Sequence, residues 1–142
     1  MRRAIGFSGV ALLAGMGAIV APALPTIEEE RGNSAPQRKF ARCGGLSLYV
    51  ASYLDRHGPD TPLRAQALRA ARSYESALLA NLPGVADIEE RITARLRATA
   101  MVQAAFQDYQ IYRSLDQVSE IVPWEEPGVL RQDFRVCAVL SQ

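Results

Sequence analysis

The two cysteines, Cys43 and Cys137, are the residues of this sequence whose chemistry is easiest to anticipate, because each is the other's only possible disulfide partner. They lie towards opposite ends of the chain, so a bond between them would enclose nearly all of the residues that fold. In the chain-entropy model such a loop contributes about 4 to 5 kcal/mol of stability, usually reduced by strain and residual structure. The pair therefore predicts an architecture and not a reaction.

The single histidine, His57, would need a nucleophile and an orienting group nearby to act as a catalytic base. The sequence shows no such motif, and a histidine at the end of a predicted helix interacts well with the helix dipole, which favours a structural role. Cys-x-x-Cys, His-Glu-x-x-His and phosphate-loop patterns are also missing from the sequence. We therefore predict no catalytic residue, no cofactor and no metal site.

Two groups of residues are candidates for a surface that binds a partner. Arg91 and Arg95 lie one turn apart on a predicted helix and could form a basic patch, although the interleaved Asp87, Glu89 and Glu90 favour an ordinary solvated face. Trp124 follows Pro123 in a predicted loop. Tryptophan is enriched at binding hot spots, but this side chain could instead plug the end of the helices, and both interpretations stay open.

The amino-acid composition and the net charge indicate which class of partner the protein could bind. Of the 142 residues, 49% are apolar and 22% are charged, which is ordinary for a globular domain. A net charge of +1 gives no overall field that would recruit nucleic acid or an anionic membrane. We therefore predict a protein partner and no nucleic-acid partner.

Residues 1–23 have the pattern of a secretory signal peptide. Arg2 and Arg3 form a basic start, residues 5–20 are uncharged and mostly apolar, and residues 21–23 (Ala-Pro-Ala) offer a cleavage site. About 16 residues rich in alanine and glycine fall short of the roughly 20 needed to cross a bilayer. We predict a periplasmic or secreted protein, in which a disulfide is expected. An uncleaved leader would instead anchor the domain in the inner membrane.

After the leader, the sequence predicts a flexible linker over residues 24–35 and a helical domain over residues 36–142. The linker contains a proline, three consecutive glutamates and no periodicity. In the domain, apolar residues recur at three- and four-residue steps in four segments, as on helices with one buried face. On the third helix the residues expected to be buried are Val85, Ile88, Ile92, Leu96, Val102, Phe106 and Tyr109.

Short connections between four main helices predict an all-α, up-down-up-down bundle. In that topology the beginning of the first helix and the end of the last lie at the same end, so Cys43 and Cys137 could meet. Gly44 and Gly45 leave a shallow strip on the first helix where another helix could approach closely. The expected fold is a small four-helix bundle closed by one long-range disulfide and preceded by a signal peptide.

For function, the preferred interpretation is a periplasmic interaction module that binds another envelope protein. It could act as an accessory subunit, as an inhibitor or immunity protein, or as a chaperone. The alternative is a small-ligand carrier or an enzyme with an aromatic pocket between helices, lined by Tyr49, Tyr53, Tyr74 and Tyr109. A cavity in which polar groups converge would favour that alternative.

Overall fold

The computed structural model describes residues 24–30, 32, 35–58, 61–83, 86–115 and 122–137. These residues form four α-helices and a short N-terminal 3-10 turn at Ile27–Glu29, and the predicted all-α class is confirmed. The helices are α1 (Ala35–His57), α2 (Thr61–Asn81), α3 (Ile88–Leu115) and α4 (Val129–Cys137). The predicted leader, residues 1–23, lies outside the described residues. None of the described helices is both long and apolar enough to span a membrane.

Helix α1 is the element on which the others pack. Helices α2 and α3 lie against α1 and touch each other much less, while α4 contacts α1 and the N-terminal turn. Helices α1 and α3 approach closely at Gly45, where a Cβ atom would lie 2.6 Å from the Cβ of Ala105 on α3. Because only glycine avoids this overlap, Gly45 sets the distance between α1 and α3. This is the close approach that the strip of small residues on the first helix predicts.

Helix α3 buries mostly short side chains, together with Tyr109, and exposes several long ones. The buried residues Ala94, Ala98, Val102, Ala105 and Tyr109 follow helical spacing. In contrast, Ile88, Ile92 and Leu96 remain 73%, 56% and 66% exposed. The prediction that these three residues face the core is therefore wrong. The face of α3 that packs against α1 is the one whose short side chains allow close approach.

Residues 24–30 differ from the flexible linker that we predict over 24–35. Thr26 and Ile27 are buried, and the N-terminal turn packs against α1 and α4. The backbone N–H of Thr26 donates to Glu29 Oε2 over 2.7 Å. Hydrogen bonds to Thr26 hold the pKa of Glu29 below its ordinary value. The polar residues that suggest a tether thus help to fix this segment, and Ile27 inserts into the core.

Cys43 and Cys137 form the predicted disulfide. Their Cα atoms lie 5.2 Å apart across a sequence separation of 94, and both residues are fully buried. Leu46 and Leu130 belong to the same core cluster, and the Tyr74 hydroxyl donates to the Cys137 carbonyl. The bond therefore ties the first part of α1 to the end of α4 inside the main core.

Candidate functional site

An open groove of about 480 Å³ lies between the end of α2 and the beginning of α3. Four aliphatic and two basic side chains line it: Leu79, Ile88, Arg91, Ile92, Arg95 and Leu96. The three apolar residues of α3 follow four-residue steps, and side chains at that spacing neighbour one another on one helix face. The groove therefore presents a continuous aliphatic ridge next to two cations.

Local sequence fixes the beginning of α3 and with it this ridge. Asp87 Oδ1 accepts a hydrogen bond from the Glu90 backbone N–H over 2.8 Å. Glu90 Oε2 in turn accepts one from the Ala86 backbone N–H over 2.6 Å. The first bond satisfies a backbone donor that the first turn of a helix leaves free, and the second ties the residue before Asp87 to the same turn. Ile88 is therefore held in helical register at the edge of the groove.

The groove has one basic edge. Arg91 and Arg95 are both exposed, and no carboxylate among the described residues forms an ion pair with either of them. Glu89, on the other side of the ridge, lines a neighbouring depression together with Asp87 and Glu90. The predicted basic pair thus borders apolar surface that the sequence assigns to the core.

Trp124 and Pro123 do not line this groove. The Pro123 side chain is fully buried. The half-buried Trp124 packs edge-on against Tyr53 and Phe134, with ring centroids 6.0 and 6.3 Å away. This packing is what the plug interpretation requires. Only the exposed part of the indole is available to a partner.

A buried polar cluster around Asp133 was not anticipated from the sequence. Asp133 is fully buried and accepts three hydrogen bonds: from Arg42 Nη2 over 2.5 Å, from the Tyr109 hydroxyl over 2.6 Å and from the Ile27 N–H over 2.9 Å. The available signal was a carboxylate between Leu130 and Cys137, on the apolar face of α4. The cluster joins α1, α3 and α4 to the N-terminal turn.

The charged and polar groups of this cluster satisfy one another's hydrogen bonds and charges. Arg42 also donates to the Pro25 carbonyl over 2.6 Å and to Glu30 over 3.0 Å. Burial opposes the positive charge of Arg42, but the effects of Tyr109, Asp133 and Glu30 exceed it and raise the pKa of this guanidinium. Burial disfavours the phenolate form of Tyr109 and so raises the pKa of this residue, which keeps its hydroxyl protonated. We interpret the cluster as a structural joint that holds residues 24–30.

The tyrosines proposed to line a ligand pocket do not border the cavities described above. Tyr49 and Tyr109 are buried in the core with ring centroids 6.4 Å apart. Tyr53 stacks on the exposed His57, with ring centroids 4.3 Å apart. The described part of the chain contains no group of three or more His, Cys, Asp or Glu side chains arranged to hold a metal ion.

Comparison with protein-family models, with curated proteins and with solved structures gave no match to this chain. Geometry is therefore the basis for a functional conclusion. The groove combines exposed aliphatic side chains with two arginines, Arg91 and Arg95, for which the described residues supply no ion-pair partner.

Proposed function

We propose that this protein is exported and binds another envelope protein through the groove between α2 and α3. The observation that carries the proposal is the exposure of Ile88, Ile92 and Leu96 in one row. Contiguous exposed apolar surface commonly marks a binding site. At about 25 cal/mol per Å² of apolar area, covering this ridge is the main favourable contribution that the groove offers a partner.

Export is inferred from the pattern of residues 1–23. Their removal would leave 14 of the 16 basic residues beside 15 acidic ones, so the mature chain would be nearly neutral. The Cys43–Cys137 disulfide supports an oxidising compartment, since such bonds are rare in the cytosol. A leader that stays attached would anchor the domain in the inner membrane and leave the groove available to the same partner.

The proposal includes an up-down-up-down course for the helices. Residues 58–60 connect α1 to α2, and residues 82–87 connect α2 to α3. Helices joined by connections this short are usually antiparallel neighbours. The bond between Cys43 and Cys137 supports a return of α4 towards the end where α1 begins.

Photo-crosslinking in cells tests the proposal on the full chain with its own leader. A photoreactive residue at position 96 should form an adduct with an envelope protein, and Ile92→Asp should abolish that adduct. Position 111 is the matched control, because Ile111 is as exposed as Ile92, at 56%, on the same helix but outside the groove.

Three results would contradict the proposal. Absence of an adduct at position 96, or equal adducts at positions 96 and 111, would remove the groove as the binding surface. An unchanged adduct after deletion of residues 2–23 would contradict export.

A further inference from the structure

The shape and charge of the groove indicate what kind of segment occupies it. Building on the proposed function, we propose that the occupant is one amphipathic helix of the partner protein. Its apolar face carries aliphatic side chains that pack on the ridge of α3, and its edge next to Arg91 and Arg95 is acidic.

The groove lies where a further helix would fit. Helices α2 and α3 both pack on α1, yet all of the described groove lining comes from α2 and α3. Helix α4 packs mainly on α1 and the N-terminal turn, and the residues by which α2 and α3 bond to it, Tyr74 and Tyr109, do not line the groove. The groove therefore lies on a side of the α2–α3 pair that α1 and α4 leave uncovered, and an incoming helix would complete a local bundle there.

The spacing of the ridge matches the anchors of a docked helix. Ile88, Ile92 and Leu96 span eight positions of α3, which is about 12 Å along a helix axis at about 1.5 Å per residue. Helices that bind in grooves place apolar anchors at positions i, i+3 or i+4, and i+7. Leu79 of α2 forms the facing wall, so a docked helix contacts both sides of the groove.

Charge specifies the edges of the docked helix. Arg91 and Arg95 are one turn apart, so carboxylates one turn apart on the partner would meet both guanidiniums. Glu89 lies on the opposite side of the ridge and would repel an acidic residue there. An acidic edge on the Arg91 side is therefore favoured over one on the Glu89 side, which sets the rotation of the docked helix about its own axis.

A second copy of the chain fits this surface less well. A two-fold interface must be self-complementary, whereas two facing grooves leave space between them. Antiparallel pairing of two α3 helices would also place Arg91 and Arg95 against the same residues of the other copy, and like charges in contact are unfavourable.

A membrane surface is also disfavoured. Anionic lipids attract basic residues and repel acidic ones. Asp87, Glu89 and Glu90 lie within about one turn of Arg91, and they would oppose adsorption of this part of α3.

Selection from a displayed helix library tests the proposal. The library keeps aliphatic residues at positions i, i+4 and i+7 and randomises the flanking positions. It is selected on the purified full chain and counter-selected on the Ile92→Asp variant, whose fold is checked by circular dichroism. We expect enrichment of Asp and Glu along one edge only.

Binding of the best selected peptide is then measured by fluorescence anisotropy. The double variant Arg91→Gln/Arg95→Gln should bind it about tenfold more weakly, with less salt dependence, because two exposed charge pairs are lost. Ile92→Asp should weaken binding by more than about tenfold, as expected for a central anchor. Ile111→Asp should leave binding unchanged.

Four outcomes would overturn the inference. They are enrichment of basic or neutral edges, no enrichment over Ile92→Asp, a dimer that Ile92→Asp converts to monomer, and binding to phosphatidylglycerol vesicles that Ile92→Asp abolishes. Failure of the proposed function is distinguishable, because the position-96 adduct to an envelope protein is scored independently of the peptide result.

Discussion

Replacement of Asp133 with alanine should destabilise this fold more than most single substitutions. The carboxylate is fully buried and accepts hydrogen bonds from the guanidinium of Arg42, the hydroxyl of Tyr109 and the backbone N–H of Ile27. Its removal leaves three donors without their acceptor, and one of them carries a charge that is only 5% exposed. Glu30, 3.0 Å from Arg42, stays in place as a partial counter-ion.

The magnitude follows from this burial. Removing one partner of a buried ion pair costs about 3 to 5 kcal/mol. Each buried donor left without a partner adds about 1 to 3 kcal/mol, but water entry and Glu30 reduce the sum. We therefore expect Asp133→Ala to lower the free energy of unfolding by about 4 kcal/mol, a large share of the roughly 5 to 15 kcal/mol typical of a domain. Asp133→Asn, which keeps an acceptor oxygen, should cost about 2 to 3 kcal/mol.

Urea unfolding followed by circular dichroism measures these changes by linear extrapolation. Asp55→Ala is the matched control, because Asp55 lies 2.5 Å from Arg64, the same distance as Asp133 from Arg42, but both side chains are partly exposed. It should cost no more than about 1 kcal/mol. Equal losses in the two variants would refute the conclusion that burial makes the Asp133 pair important.

A double replacement separates loss of the pair from exposure of a lone charge. Arg42→Met/Asp133→Leu removes both charges and should recover at least about 2 kcal/mol relative to Asp133→Ala, since apolar replacement of a whole buried pair is often tolerated. Limited proteolysis provides a second measurement, because Asp133→Ala should expose residues 24–30 to cleavage. An uncleaved N-terminal segment would contradict the role of Asp133 in holding it.

Three further expectations concern the core. Gly45→Ala should cost about 2 to 3 kcal/mol in urea unfolding, because the new methyl group meets the backbone of α3, while Gly44→Ala, 3.1 Å from a Val102 methyl, should cost less. Replacing Cys43 and Cys137 with serine should cost about 2 to 5 kcal/mol while circular dichroism retains most of the helix signal. Because burial raises the folded-state pKa of Tyr109, its contribution is complete below about pH 10 and is lost as the pH rises further. Tyr109→Phe should therefore flatten the alkaline decline of urea midpoints, and an unchanged decline would contradict this assignment.

Helix content was predictable from sequence, but the orientation of α3 was not. Periodicity identifies four helices because each carries apolar residues at helical steps, and two cysteines behind a predicted leader predict their bond. Helix α3, however, carries two apolar stripes, one of alanines with Val102 and one of Ile88, Ile92 and Leu96. Hydropathy favours burial of the larger residues, whereas the close contact at Gly45 favours the smaller ones. The contact with α1 determines which stripe is buried. The periodicity of a single helix carries no information about its contacts with other helices.

The candidate site was predictable in part for the same reason. Arg91 and Arg95 were identified from their types and spacing, but the apolar ridge beside them had been assigned to the core. The Asp133 cluster depends on contacts with Ile27 and Arg42, which are distant in the sequence. Local patterns do not show such contacts, so residues 24–30 resembled a linker and their anchoring was missed.

Because a chain is synthesised from its N-terminus, the position of each residue in the sequence limits when this core can assemble. Asp133 is separated from Ile27 by 106 positions and from Arg42 by 91, and the disulfide spans 94. A polypeptide synthesised or threaded from its N-terminus presents these donors long before their acceptor arrives. Helices can form early, but the joint cannot assemble until residues 129–137 have emerged. The joint therefore closes late in synthesis, and the timing of its closure depends on α4.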